Sequence, residues 1–298
     1  MKKLAQLWIT LCLALPGLIA HGDTTLVANI NGYSLDADRE LIQFTAIQFS
    51  DDRVDRLFSD GDSLPENVDT RIDGNGLTLI PGLIDAHGHV LNYGLSLLRV
   101  DLIGTRSEQR AGQRVVDFAA ENTELDWIQG RGWNQVLWNS NSFPSAASLA
   151  TALSDRPVWL SRIDGHAGWA NSVAIELAGV TERTEDPPGG QIIRDDDGKP
   201  TGVFVDNAMA LIRSRIPPSS TAELSFALNT SMQKLASFGL TSVHDAGAGS
   251  RVGQAYKDLL EAGPLPIRVN VMLAATDPYY EQRLAEGNFR SNDDTLTI

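Results

Sequence analysis

Cysteine is all but missing from this sequence, with one residue in 298, Cys12. A lone thiol cannot build an intramolecular disulfide framework or a zinc–thiolate cluster, so neither can staple the fold. Cations are scarce as well: 24 Lys and Arg stand against 38 Asp and Glu, for a formal net charge of −14. A surface that acidic repels phosphate backbones and excludes nucleic acid as an expected partner. Histidine is limited to five residues, so any metal site must draw on a very short roster. Apolar runs long enough to span a bilayer are absent after Ala20. What remains is an ordinary globular composition, 42% hydrophobic and 21% charged, which excludes collagen-like, low-complexity and disordered chains. The length suffices for one large domain or two ordinary ones.

Lys2 and Lys3 precede an apolar run from Leu4 to Ala20 that contains Pro16-Gly17 and ends in a small residue. This is the plan of a secretory signal peptide, residues 1–20, with cleavage after Ala20 just ahead of His21. Pro16-Gly17 suits a cleavage region better than a permanent anchor, so no permanent membrane span is expected once the segment is removed. Ile9-Thr10-Leu11, before Cys12, lacks the small residues of a lipoprotein cleavage site. The expected product is cysteine-free and exported, periplasmic or extracellular, where stray thiols are a liability.

Residues 21–80 alternate apolar and polar side chains in short runs such as Leu26-Val27-Ala28-Asn29-Ile30 and Ile42-Gln43-Phe44-Thr45-Ala46-Ile47. Asn31-Gly32, Ser59-Asp60-Gly61-Asp62 and Asp73-Gly74-Asn75-Gly76 punctuate them, which predicts a small antiparallel β module with hairpin turns. From Pro81 onward, residues 81–298, the texture is α/β. Ser220-Thr221-Ala222-Glu223 reads as a capping box, and Gly239 closes the helix behind it. Strand Leu240–His244, helix Gly253–Ala262 and strand Ile267–Leu273 form a βαβ unit, which implies a parallel sheet. Strand Val158–Ile163 precedes a helix over Asn171–Ala178 closed by Gly179. A hairpin near 185–206 is expected as an insertion. Its Asp195-Asp196-Asp197 lacks the spaced ligands of a calcium loop and reads as a solvated tip.

The chemistry concentrates at Pro81-Gly82-Leu83-Ile84-Asp85-Ala86-His87-Gly88-His89. On a strand, alternate side chains point the same way, so Asp85, His87 and His89 are expected on one face. Two imidazoles so placed can chelate a divalent cation. Leu83-Ile84 reads as a buried lead-in to the carboxyl end of a parallel strand. Taken alone, His-x-His is a weak signal, and its strand context strengthens it.

This phrase resembles one that ends the first barrel strand in the metal-dependent amidohydrolase superfamily. Gly130-Arg131-Gly132-Trp133-Asn134-Gln135, Arg156-Pro157-Val158-Trp159-Leu160 and Asp164-Gly165-His166-Ala167-Gly168-Trp169-Ala170-Asn171-Ser172 extend the likeness. So do Asp186-Pro187-Pro188-Gly189-Gly190, Pro200-Thr201-Gly202-Val203 and Gly239-Leu240-Thr241-Ser242-Val243-His244-Asp245-Ala246-Gly247. Together they are similar to the branch containing the N-substituted formamide deformylases, over residues 76–298. The resemblance implies an α/β fold: the first part of a (β/α)8 TIM-like barrel, preceded over 21–80 by part of a composite β-sandwich. It implies hydrolysis of a non-peptide C–N bond in a small-molecule substrate, with one or two divalent ions, zinc foremost, activating water. His87 and His89 match the first two metal ligands. The family's lysine or glutamate, later histidines and aspartate base have no counterpart before Ile298, so the chain reads as an N-terminal fragment, expected to be inactive alone.

Trp133, His166, His244 and Asp245 are candidates for the substrate pocket. Trp133 and Trp138 could wall the pocket, though six tryptophans in a chain of this size are more often core than recognition, and His166 equally suits a loop bonded to backbone. His244 ends a strand with Asp245 alongside, so a role near metal or substrate is geometrically allowed; for the histidine, a packed, hydrogen-bonded role is as natural. Two rival readings remain, a periplasmic solute-binding protein and a catalytically dead truncated fragment. The residues specify no oligomeric state.

Overall fold

In the computed structural model the described residues are 23–298, so residues 1–20, expected to be a signal segment, and His21 lie outside them. No helix among the described residues is long and apolar enough to cross a membrane. The chain divides at Pro81–Gly82 into two compact units.

The first unit is one sheet of five strands: β1 (Thr24–Leu35), β2 (Leu41–Ser50), β3 (Arg53–Phe58), β4 (Thr70–Asp73) and β5 (Thr78–Leu79). β1–β2 and β2–β3 are antiparallel, but β4 and β5 run parallel to β1. The sheet is therefore mixed, not antiparallel throughout: residues 59–69 carry the chain back to run beside β1 in its own direction. Asn31-Gly32 is not a turn. It lies within β1, where the β1–β2 register slips between Ala28 and Gly32 and Asn29 adopts φ 55°, a conformation asparagine tolerates at a bulge. Gly32 is needed there for space, because a Cβ would sit 2.2 Å from a ring carbon of Phe44. Leu26, Ala28, Ala46 and Phe58 form the small core.

The second unit opens with β6 (Leu83–Gly88) and α1 (Val90–Leu97). Next come β7 (Val100–Asp101), α2 (Glu108–Glu121), β8 (Ile128–Trp133), α3 (Ala146–Ala152), β9 (Val158–Arg162) and β10 (Ala167–Ala170). α4 (Ser172–Ala178), β11 (Gly190–Arg194), β12 (Pro200–Asp206) and α5 (Met209–Arg213) complete that stretch. The chain then runs through α6 (Thr221–Ser237), β13 (Leu240–Ala248), α7 (Ser250–Ala262), β14 (Arg268–Leu273), α8 (Tyr280–Glu286) and β15 (Leu296–Thr297). Two sheets result. One has six strands in the order β11-β12-β10-β9-β8-β7, and the other has four in the order β15-β14-β13-β6. In the four-stranded sheet every pairing is parallel, as the βαβ pattern predicts. The six-stranded sheet is parallel only across β7, β8 and β9; β10, β11 and β12 add by antiparallel pairing. The β11–β12 tip is a tight turn in which Asp195 Oδ1 accepts the amides of Asp197 and Lys199.

Local signals account for the helix ends. Ser220 Oγ accepts the Glu223 amide and Glu223 Oε2 accepts that of Ser220, closing the capping box of α6. Asn171 caps α4 through the Ala174 amide, and Gly179, at φ 68°, ends it. α7 starts at Ser250, ahead of the expected Gly253, because Asp277 from beyond β14 accepts the Ser250 amide at 2.9 Å. The six-stranded sheet is filled by Trp133, Trp138 and Trp169 with Leu102, Leu149, Leu160 and Val203. The four-stranded sheet packs Val243, Val269 and Val271 against Leu224, Leu228, Met232 and Tyr256 of the helices.

α1 lies against α6 at Gly94, where a Cβ would stand 2.0 Å from the Ala227 carbonyl oxygen. Helix propensity alone would make Gly94→Ala stabilising by about 1 kcal/mol. The backbone clash outweighs this, and overpacking of this kind costs roughly 1–3 kcal/mol. Urea denaturation should show a lower midpoint for Gly94→Ala than for wild type. A midpoint that rises would show that the two helices do not approach so closely.

Candidate metal centre

β6 pairs with β13 so that Asp85 stands opposite Val243 and Gly88 opposite Asp245. Three steps along β6 thus match two along β13, and the alternation expected to place Asp85, His87 and His89 on one face is broken by this bulge. Asp85 instead turns its Oδ1 back to accept the His87 amide at 3.0 Å. His89 falls just beyond β6, as the N-cap residue of α1. Gly88 is fitted to the kink, since a Cβ there would approach Val243 Cγ2 to 2.8 Å.

The two imidazoles are nevertheless brought together, with ring centroids 5.4 Å apart and planes at 86°. His89 Nδ1 lies 3.0 Å from the backbone oxygen of Ala246. A carbonyl oxygen can only accept, so Nδ1 carries the proton and the Nε2 lone pair is left for another partner. That is the anchoring by which metal-binding histidines are commonly oriented. Both side chains are exposed. The pair therefore fits part of a cation shell. Among the described residues no group of three His, Cys, Asp or Glu is placed to complete one.

Leu83 and Ile84 depart from expectation: they are 51% and 65% exposed. β6 is the edge of its sheet, paired only with β13, and an edge strand lacks the cover that burial requires.

The remaining candidates separate. Asp245, placed near substrate from sequence, is buried at 3% exposure. Its Oδ1 accepts the Val90 amide at 3.0 Å and its Oδ2 the Tyr256 hydroxyl at 2.9 Å. Burial pushes its pKa up, while the two hydrogen bonds and the nearby His89 pull the other way. Burial, then the Asp245 carboxylate, pushes the Tyr256 phenol far upward. His244, one residue earlier, alternates to the opposite face of β13 and is half-buried. Trp133 does not wall a pocket. It is fully buried, donates its ring N–H to Leu160 O at 2.8 Å, and packs against Trp138, Trp169 and Phe143.

His166 lies in the turn between β9 and β10, at the six-stranded sheet and not at the sheet that carries His87, because β9 and β10 pair with β8 and β12. It is exposed, and its Nδ1 donates to Asp206 Oδ1 at 2.8 Å. Asp206 holds a positive φ of 47° and donates its amide to the His166 carbonyl. The Asp206 hydrogen bond and charge, followed by the charge of Asp164, raise the His166 pKa. Sequence reasoning missed Asp206, Tyr256 and the Ala246 carbonyl. Asp206 and Ala246 act on partners 40 and 157 residues away and Tyr256 on one eleven residues back across the β13–α7 connection; only a polar residue closing an apolar run hinted at Asp206.

The molecule is thus an α/β protein with an imidazole pair at the carboxyl end of a parallel strand. Residues 70–298 match the model of the amidohydrolase family, and the chain belongs to that family. It is 38% identical over 172 residues to Protein LONG AFTER FAR-RED 3 of Arabidopsis thaliana, covering 58% of this chain and 29% of that protein. It is 29% identical over 205 residues to the N-substituted formamide deformylase of Arthrobacter pascens, covering 65% of this chain and 37% of that enzyme. The crystal structure of an uncharacterized metal-dependent hydrolase from Pyrococcus horikoshii OT3 superposes with a TM-score of 0.68 at 22% identity. That match covers 93% of this chain and 53% of that one, and it shows a shared fold. The chain spans well under two thirds of each of these relatives. Family membership leaves the solute-binding alternative without support.

Because the His166 pKa is raised, the stabilisation from its pairing with Asp206 is fully present below histidine's unfolded value of about 6.5. It is lost as pH rises through the higher folded value. An NMR titration should place the His166 midpoint above that ordinary value, and Asp206→Asn should bring it down. A midpoint that ignores Asp206→Asn would contradict the pairing.

Proposed function

We propose that the function of this chain is metal-dependent hydrolysis of a non-peptide C–N bond, in an amide, N-formyl or cyclic amide, of a small-molecule substrate. The observation that carries this reading is the His87–His89 pair, with His89 anchored through Nδ1 and its Nε2 free. His87 and His89 would hold a divalent cation. Two imidazoles suit zinc among several metals, and a catalytic zinc site takes three protein ligands with one position left open. The chemistry such an ion supplies when bound is activation of water and polarisation of a carbonyl oxygen.

The chain's own contribution is to hold two neutral imidazoles side by side at a strand end, the Ala246 carbonyl fixing the ring of His89. β6, β13, β14 and β15 are parallel neighbours in one sheet, and β13, β14 and β15 also follow one another along the chain, which supports reading them as part of a (β/α)8 barrel wall, where sites gather at the carboxyl ends. In the same proposal, residues 21–80 belong to a composite β-sandwich, and residues 1–20 direct export to the periplasm or the extracellular medium.

The test is zinc content after desalting for wild type, His87→Ala and His89→Ala. Wild type should retain zinc, and each variant should fall at least tenfold in affinity while keeping its circular dichroism spectrum. Retention should also weaken on acidification, because only neutral imidazole is a ligand. In any form of the protein that turns over N-formyl or N-acyl amines, the same substitutions should abolish that turnover. Equal zinc in wild type and both variants would overturn the assignment.

A further inference from the structure

Asp245 and Tyr256 have no part in the chemistry just described, yet both are buried beside it. A buried carboxylate is costly unless its oxygens are satisfied, and no lysine or arginine forms an ion pair with Asp245 among the described residues. Two donors occupy it instead, one on each oxygen: the Val90 amide and the Tyr256 hydroxyl. Val90 is the first residue of α1, and His89, its N-cap residue, makes no side-chain cap. Asp245 therefore supplies from the neighbouring strand the acceptor that a helix N-terminus normally finds in its own N-cap side chain. The next residue on β13, Ala246, accepts the His89 ring N–H. Two consecutive residues of β13 thus fix His89 at two points, the peptide that follows it and the imidazole itself.

We propose that Asp245 and Tyr256 are a positioning pair that sets the orientation of His89 for a metal ion, an inference that rests on reading His87 and His89 as ligands. Tyr256 is fully buried on α7 among Leu224, Leu228, Val243 and Val269, so its hydroxyl is held by core packing rather than by a mobile side chain. It pins Asp245 Oδ2, which leaves Oδ1 aimed at Val90. The ring of His87 is 5.4 Å from that of His89, so a small rotation at His89 spoils their convergence on one cation. Partners of this kind typically change metal affinity ten- to a hundredfold when removed.

The decisive variant is Tyr256→Phe, which keeps the ring and removes only the hydroxyl; Asp245→Asn is the second. Leu228→Ala serves as control, since it opens a cavity in the same core and removes neither hydrogen-bond donor of Asp245. Zinc affinity of the chain is measured by competition with a chromophoric chelator, alongside the melting temperature. Tyr256→Phe and Asp245→Asn should each bind zinc about ten- to a hundredfold more weakly, whereas Leu228→Ala should melt earlier with unchanged affinity. Wild-type affinity in Tyr256→Phe, or an equal loss in Leu228→Ala, would overturn the positioning role while leaving the metal site standing. A second readout needs no metal: the 15N shifts of His89 should report a single Nδ1–H tautomer in wild type and a mixture in Tyr256→Phe. If wild type binds no zinc, the metal reading fails on its own, and the tautomer comparison still decides whether the pair orients His89.

Discussion

The pairing of β6 with β13 is the constraint on which the candidate site depends. It joins segments about 155 residues apart, and it carries one extra residue on β6 between Asp85 and Gly88. That excess turns the chain out of the ladder after Gly88, places His89 at the start of α1 and directs the Val90 amide at Asp245. Slip the register by one residue and each of these partners is lost, because strand side chains reverse face at every step. The same pairing sets the course of α1, whose Gly94 lies against the Ala227 carbonyl of α6. Sheet, helix start and imidazole orientation are one connected arrangement.

The two sheets of the second unit divide the work. The six-stranded sheet packs buried tryptophans whose ring N–H groups end on backbone carbonyls, as with Trp133 on Leu160 and Trp138 on Thr105. That is a rigid scaffold with its polar atoms satisfied. The four-stranded sheet is more open. Its edge strand exposes Leu83 and Ile84, and its conspicuous buried polar groups, Asp245 and Tyr256, sit immediately behind the histidines. A satisfied polar network rigidifies a core, and this one lies on β13, the strand next to the one that carries His87, and on α7.

Much of this was legible where the determinant is local. The capping box at Ser220 and Glu223, the Asn171 and Gly179 caps of α4, and the parallel β13–α7–β14 unit follow from residues within a turn or two of each other. The proximity of His87 and His89 follows from their spacing. What was not legible is set by distant partners. Nothing near Val158 says that its strand joins β8 and β10 rather than β6. Asn31-Gly32 has the composition of a turn, yet β2 pairs across it and makes it a bulge. Trp133 resembles a pocket wall until Trp138 and Trp169 close over it. Asp245 reads as a strand-end carboxylate facing substrate, and only the ladder register and α7 show that it is enclosed. Alternation likewise put Asp85 with the histidines, and the bulge removed it.

His87 and His89 are proposed to bind one divalent cation together. X-ray absorption at the zinc edge of the zinc-loaded chain tests this most directly, because imidazole rings give outer-shell scattering that counts them. Two histidine nitrogens at about 2.0–2.1 Å, falling to one in His89→Ala, are the predicted result. A zinc environment without imidazole scattering, or one unchanged by His89→Ala, would contradict it.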